Sequence, residues 1–204
     1  MRKKVVIYVP GLADDKLIAN LLFPFLPVIW RQFGYEFVIH RPHWKAGETF
    51  LPKQKMIEQL IDRYSDNEYK VCLIGQSAGG SAVLNTFTAC KKKVDRVVNV
   101  CGRLRKGQNV SPTLEQAAKG YPAFEDSVLL FENTNEQTLS ASDRKKVLTI
   151  KSHLDNIVPP TTTPLEGATN ITIPMIGHAT GGISAMTIFS EKIRAFFESD
   201  LKVQ

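Results

Sequence analysis

Cysteine is scarce in this chain: three in 204 residues, Cys72, Cys90 and Cys101. Two fall in strand-like runs and one near a helix end. The set is odd-numbered and reads as small core residues, not as a disulfide or metal framework. No apolar run approaches the roughly 20 residues of a membrane span. The N-terminus is basic, but its apolar run of about five residues stops at Pro10-Gly11, short of a signal peptide's core, so it reads as a strand. Cytoplasm is the expected location. Internal repeats, low-complexity tracts and linkers are also lacking, so residues 1–204 are expected to form one domain. The net charge of +6 is moderate, and the runs Lys91-Lys92-Lys93 and Arg144-Lys145-Lys146 carry no interleaved aromatics. Nucleic acid is therefore not an expected partner. The glycine-rich piece Gly177-His178-Ala179-Thr180-Gly181-Gly182 lacks a Gly-x-Gly-x-x-Gly spacing and lies far from the N-terminus, which argues against a dinucleotide site.

What the chain does have is alternation of strand and helix signals from end to end. Strand-like runs occupy 4–9, 35–40, 70–74, 95–101, 146–152 and 170–174. Helical spacing appears at 17–33, where Pro24 and Pro27 must shorten or kink it, and at 52–64, with Met56, Leu60, Ile61 and Tyr64 on one face. It recurs at 78–90, at 125–133 and in a closing helix at 184–198. Six buried-type strands, mostly separated by helices, predict an α/β fold: a three-layer sandwich with a mostly parallel sheet and helices on both faces. Residues 102–145 form the longest connection, read as either a small lid or an extended crossover.

The most specific stretch is Gly75-Gln76-Ser77-Ala78-Gly79, which follows the apolar run 70–74 and precedes a helix-compatible segment. Strand, tight turn and helix are the context of a nucleophile elbow. Glycines at 75 and 79 fit because bulkier side chains would collide where strand and helix nearly touch. The serine hydroxyl would stand at the helix start, with the Ala78 N–H placed to face a developing oxyanion. A serine needs a base, and the chain offers only His40, His43, His153 and His178. His178 follows the last strand, on the same sheet edge as Ser77. Asp155 lies on the loop after the preceding strand, with Asp143 and Asp126 as alternatives. His153, two residues before Asp155, reads as structural. The order Ser77, Asp155, His178 is that of one hydrolase fold.

These residues resemble the α/β-hydrolase family. Gly75–Gly79 matches its elbow, Asp155 with Val158-Pro159 its acid loop, Gly177-His178 its histidine loop, and Pro10-Gly11-Leu12 its oxyanion loop. The resemblance spans nearly the whole chain in order. It departs in lacking two N-terminal antiparallel strands and in placing Pro10 where many relatives have histidine. It implies a serine hydrolase acting on esters or thioesters through an acyl-enzyme, without metal or organic cofactor. Ser77 would be the nucleophile, His178 the base, Asp155 its orienting partner, and the N–H groups of Leu12 and Ala78 the oxyanion donors. A non-catalytic binding protein on the same fold is the alternative, and a nucleotide-dependent α/β protein a more distant one.

Pocket residues are read from position and residue type. Gly11 and Gln76 flank the site, and Trp44, Tyr121 and Phe124, with Phe50 and Trp30, are candidates for an apolar acyl pocket. Arg41, His43 and Lys45, with Arg103, Arg105 and Lys106, fall on loops expected at the catalytic edge, which would suit an anionic substrate. Solvated loop charge is the plainer reading.

Overall fold

Runs of β-branched residues form the strands, and glycine, proline or polar residues end them. In a computed structural model, which describes residues 3–14, 17–45 and 47–199, the strands are β1 (Lys4–Val9), β2 (Tyr35–Ile39), β3 (Lys70–Gln76), β4 (Val94–Val100), β5 (Val147–Leu154) and β6 (Thr169–Ile176). They form one sheet in the order β2-β1-β3-β4-β5-β6, and every pairing is parallel. The mostly parallel sheet expected from the sequence is thus parallel throughout the described residues.

Helices cover both faces. They are α1 (Leu17–Leu22), α2 (Phe25–Arg31), α3 (Phe50–Asp66), α4 (Ala78–Ala89), α5 (Leu114–Ala117), α6 (Pro122–Leu130), α7 (Ala141–Arg144), α8 (His178–Met186) and α9 (Ser190–Glu198). Alternate strand residues feed two cores. Val5, Ile7, Val71 and Leu73 pack with α3, α4 and α6, whereas Val6, Tyr8, Cys72 and Ile74 pack with α2, α8 and α9. None of the described helices is long and apolar enough to cross a membrane.

The chain leaves β1 toward β2 on one side, then passes back over β1 to β3 on the other. Connections diverge at the carboxyl ends of β1 and β3, the position where open α/β sheets place ligands. A register slip between Ser152 and Leu154 on β5, which pair with Ile173 and Ile176 of β6, reshapes the last residues of both strands just before Asp155 and Gly177.

As its prolines required, the 17–33 segment is not one helix but two, with Pro24 as the residue preceding α2. Other expectations need correction. The closing helix is also two, parted at 187–189, and α8 begins at His178, earlier than its spacing suggested. Ile188, apolar and inside the predicted closing helix, is 72% exposed. The buried stripe of α3 is Phe50, Lys53, Gln54, Ile57 and Ile61, while Met56 is 53% exposed. At about 100° per residue Met56 lies about 100° from Ile57 and about 140° from Ile61, outside the buried stripe. Leu60 and Tyr64 are half-buried beside that core. Cys72 and Cys101 are buried, Cys90 is half-buried, and all three are free thiols.

Truncation of Ile57 to alanine should lower the unfolding free energy by about 2–5 kcal/mol, the range for a buried aliphatic side chain. Met56→Ala should cost less than about 0.5 kcal/mol. Urea midpoints of the two variants provide the check, and equal losses would put Met56 back in the core.

Candidate active site

Ser77 sits at the turn between β3 and α4 with φ 55° and ψ −122°, a conformation a non-glycine residue seldom adopts. Backbone hydrogen bonds and close backbone packing hold it there. Its N–H donates to the Val100 carbonyl at 2.9 Å, and its own carbonyl accepts from Gly80 N–H at 2.9 Å. A side chain at Gly75 would overlap the Gly79 carbonyl, and one at Gly79 would overlap the carbonyl of Val9 at the end of β1. Both glycines are therefore required by the contact among β1, β3 and α4, as the sequence suggested.

Three segments converge on the serine hydroxyl. His178, the first residue of α8, places Nε2 2.8 Å from Ser77 Oγ. Its Nδ1–H donates to Asp155 Oδ2 at 2.8 Å, which leaves Nε2 as the acceptor for the serine proton. Gly177, with φ 93°, makes the bend that brings the imidazole in, and Asn156 Oδ1 accepts the His178 N–H at 3.3 Å. Sequence reasoning missed Asn156, for which no motif pointed beyond Asp155.

Asp155 has two jobs. Its Oδ1 accepts the N–H groups of Ile157 and Val158, both at 2.9 Å, so it caps the turn before Pro159 while Oδ2 holds His178. Its side chain is only 3% exposed. Burial pushes the carboxyl's pKa up, but the His178 bond and charge and the two backbone N–H bonds outweigh this and hold it below the usual value. The alternative acids are engaged elsewhere: Asp126 accepts the Phe50 N–H, and Asp143 closes a capping box with Ser140. His153 is exposed at the end of β5, away from this cluster.

The loop after β1 presses on the serine from the other side. A Cβ on Gly11 would lie 2.6 Å from Ser77 Cβ, so only glycine lets this loop come so near. The loop folds back through a bond from Asp14 N–H to the Gly11 carbonyl at 3.1 Å. It is pinned to the 43–44 segment twice, since Trp44 Nε1–H donates to the Pro10 carbonyl at 3.1 Å and His43 N–H to Asp14 Oδ2 at 2.9 Å. Leu12 lies on this turn, and Ala78 opens α4, whose first N–H groups have no partner within the helix.

A cavity of about 550 Å³ opens beside Ser77 and His178. Of the pocket candidates, Gly11, Gln76 and Tyr121 line it. Trp44 and Phe124 do not. They are buried against each other in the α3–α4–α6 core, ring centroids 6.5 Å apart, and Trp44 acts on the site only through the Pro10 carbonyl. Phe50 and Trp30 are likewise core residues. The apolar wall comes instead from Phe23, Phe25, Leu26 and Ile29 of the α1–α2 region, with Ile157, Ile183 and Met186. The broken amphipathic pattern at 17–33 was the one signal that could have found it.

None of the six basic loop residues lines the cavity. Arg41 donates to Asn20 and lies over the Phe23 ring. Arg103, fully buried, gives its guanidinium to the carbonyls of Arg105, Lys106 and Pro112. Arg105 pairs with Glu136 and Lys106 with Glu115. Among the described residues, no group of histidine, cysteine and acidic side chains could hold a metal ion.

No model of a known protein family matches the chain, and none of the curated proteins does. Solved structures do. One described under the metagenome-derived lipolytic enzymes LipS and LipT is 15% identical, covers 97% of this chain and 95% of its own, and gives a TM-score of 0.68. A hydrolase from Oleispira antarctica is 12% identical over 96% and 92%, with a TM-score of 0.67. The ydeN gene product of B. subtilis is 16% identical over 96% and 100%, with a TM-score of 0.66. The chain therefore has the α/β-hydrolase fold.

The Asp155 arrangement carries a signed pH dependence. A carboxyl held below its unfolded pKa contributes stability that is fully present above about pH 4 and is lost as pH falls through the folded value. The wild-type urea midpoint should thus fall more steeply from about pH 5 to about pH 3 than that of Asp155→Asn. Parallel curves would show that Asp155 titrates alike in the folded and unfolded chain.

Proposed function

We propose that this protein is a serine hydrolase that cleaves carboxylic esters or thioesters through an acyl-enzyme. The observation that carries the reading is the unbroken hydrogen-bond chain Ser77–His178–Asp155 at the edge of an apolar cavity. Ser77 Oγ attacks the acyl carbon as His178 Nε2 takes its proton, and the carbonyl π electrons move onto oxygen. Asp155 keeps the Nδ1–H tautomer in place and stabilises the imidazolium without taking the proton. The N–H groups of Leu12 and Ala78 receive the oxyanion. The tetrahedral intermediate then collapses, the bond to the alcohol or thiol breaks, and His178 returns its proton to the leaving atom. Water, deprotonated by the same imidazole, releases the acid and restores Ser77. That two of the neighbouring structures are described as a hydrolase and as lipolytic enzymes is consistent with this chemistry. The largely apolar wall favours a neutral acyl group over the anionic one that the loop charges suggested.

Ser77→Ala should abolish turnover across a p-nitrophenyl ester series from acetate to palmitate, and should abolish labelling by a fluorophosphonate probe that modifies the wild type. A wild type that neither turns over nor labels would instead favour a binding protein that keeps the fold.

The Trp44 bond to the Pro10 carbonyl also predicts an effect at a distance. Trp44→Phe keeps the aromatic packing but frees the strand end that carries the oxyanion loop. It should lower kcat about tenfold or more while KM shifts by less than about twofold. A proportionate rise in KM with kcat intact would show that Trp44 shapes binding only.

A further inference from the structure

The cavity is graded from an open rim to a closed floor. At the rim, Phe25, Ile157 and Ile183 are 64%, 49% and 42% exposed; at the floor, Tyr8, Leu26 and Met186 are buried. Apart from Ser77 and His178, five lining residues carry polar side-chain groups: Tyr8, Asp14, Gln76, Thr187 and the half-buried Tyr121. The Thr187 hydroxyl donates back to the Ile183 carbonyl at 2.8 Å. The Asp14 carboxylate receives the His43 N–H and has no hydrogen to give. Tyr8 and Gln76 differ from both.

The Tyr8 hydroxyl donates to Gln76 Oε1 at 2.5 Å. Between them the two side chains carry one O–H and two amide N–H groups, and one bond within the pair uses a single hydrogen. That bond leaves both N–H groups of Gln76 Nε2 without an acceptor, and turning the amide over exchanges the partners but still leaves two hydrogens of the pair unused. Packing holds the pair in place. Tyr8 is fixed edge-on by Phe23 at 5.8 Å and flanked by Phe37 at 5.7 Å. Its phenol is pushed well above its usual pKa by burial, so it stays a donor at any working pH. The Gln76 amide packs directly on α8, where a side chain at Gly182 would overlap Nε2. The glycine pair of α8 thus has a physical account: Gly181 clears Ser152, and Gly182 clears the Gln76 amide.

We infer that Tyr8 and Gln76 form an acceptor-recognising subsite at the cavity floor, and that the preferred acyl group carries a keto or ether oxygen a few atoms from the reacting carbonyl. A plain alkyl chain would strip water from these donors and give nothing in return, which a site built for hydrogen bonding penalises. The inference rests on the reading of Ser77 as the acylated residue.

The test compares p-nitrophenyl hexanoate with ether isosteres in which oxygen replaces the third or fourth chain atom. Each kcat/KM is divided by that ester's alkaline hydrolysis rate, to remove differences in intrinsic reactivity. The wild type should favour one isostere by about tenfold, the scale of one net hydrogen bond in a buried site. In Gln76→Leu and in the shape-preserving Tyr8→Phe, that ratio should fall toward about 1. A wild-type ratio near 1, or variants in which both esters fall together at constant ratio, overturns the subsite. Should the wild type hydrolyse no ester, the hydrolase reading fails, and the subsite is read separately by calorimetry with the matching methyl ketones. Tighter binding of the oxygenated ketone, lost in Gln76→Leu, sustains it; equal or absent binding overturns it.

Discussion

Everything in the candidate site hangs on how closely three backbone segments approach at the carboxyl ends of β1 and β3. Gly79 at the start of α4 lies against the Val9 carbonyl, Gly75 lies under Gly79, and Gly11 lies on Ser77. At none of the three is there room for a Cβ. The contact holds Ser77 in a backbone conformation that costs of order 1–3 kcal/mol and persists only where the surroundings over-determine it. Two backbone hydrogen bonds and the start of α4 supply that constraint. The strain has a geometric consequence: the hydroxyl reaches His178 Nε2, and α4 begins at the very next residue.

Once the serine is fixed, the other partners need only reach it, and each does so from the end of a neighbouring strand. Asp155 follows β5 and His178 follows β6, so two side chains 23 positions apart in sequence meet because those strands pair in parallel. The register slip before Asp155 and the left-handed Gly177 are local departures from regular structure at the places where a straight strand would aim the side chains elsewhere. Asp155 shows how little is left to flexibility. One carboxylate oxygen builds its own turn while the other holds the imidazole, so the bonds of the turn fix the carboxylate that orients His178.

This economy explains what was legible in the sequence. Strained turns and close approaches demand particular residue types, so the elbow glycines, Gly11, Gly177 and the Ser77, Asp155, His178 order stood out. Burial makes no such demand. Any large aromatic satisfies it, which is why Trp44 and Phe124 passed for pocket residues when they fill the core. The inner face of α3 was misread because Met56 and Ile57 are adjacent and both apolar, so two overlapping stripes fit one pattern. The break between α8 and α9 carries no glycine or proline; it is made by Thr187 and Phe189 N–H groups that both turn back to the Ser184 carbonyl. The basic loop residues illustrate the same limit, since composition cannot tell that Arg103 will spend its donors on three backbone carbonyls.

The apolar wall and the polar relay also constrain each other. Ile157 belongs to both: its side chain stands at the cavity rim and its N–H holds Asp155 Oδ1. An acyl group seated against Ile157 would press on the same turn that orients the carboxylate. It would also displace water from beside His178. With water gone, the attraction between a forming imidazolium and Asp155 is screened less, by the factor that separates an interior dielectric from the bulk. The proposed relay would then be stronger with substrate in place than without it. Apolar residues that never touch the reacting atoms would thereby contribute to the transition state, through the dielectric around charges they do not carry.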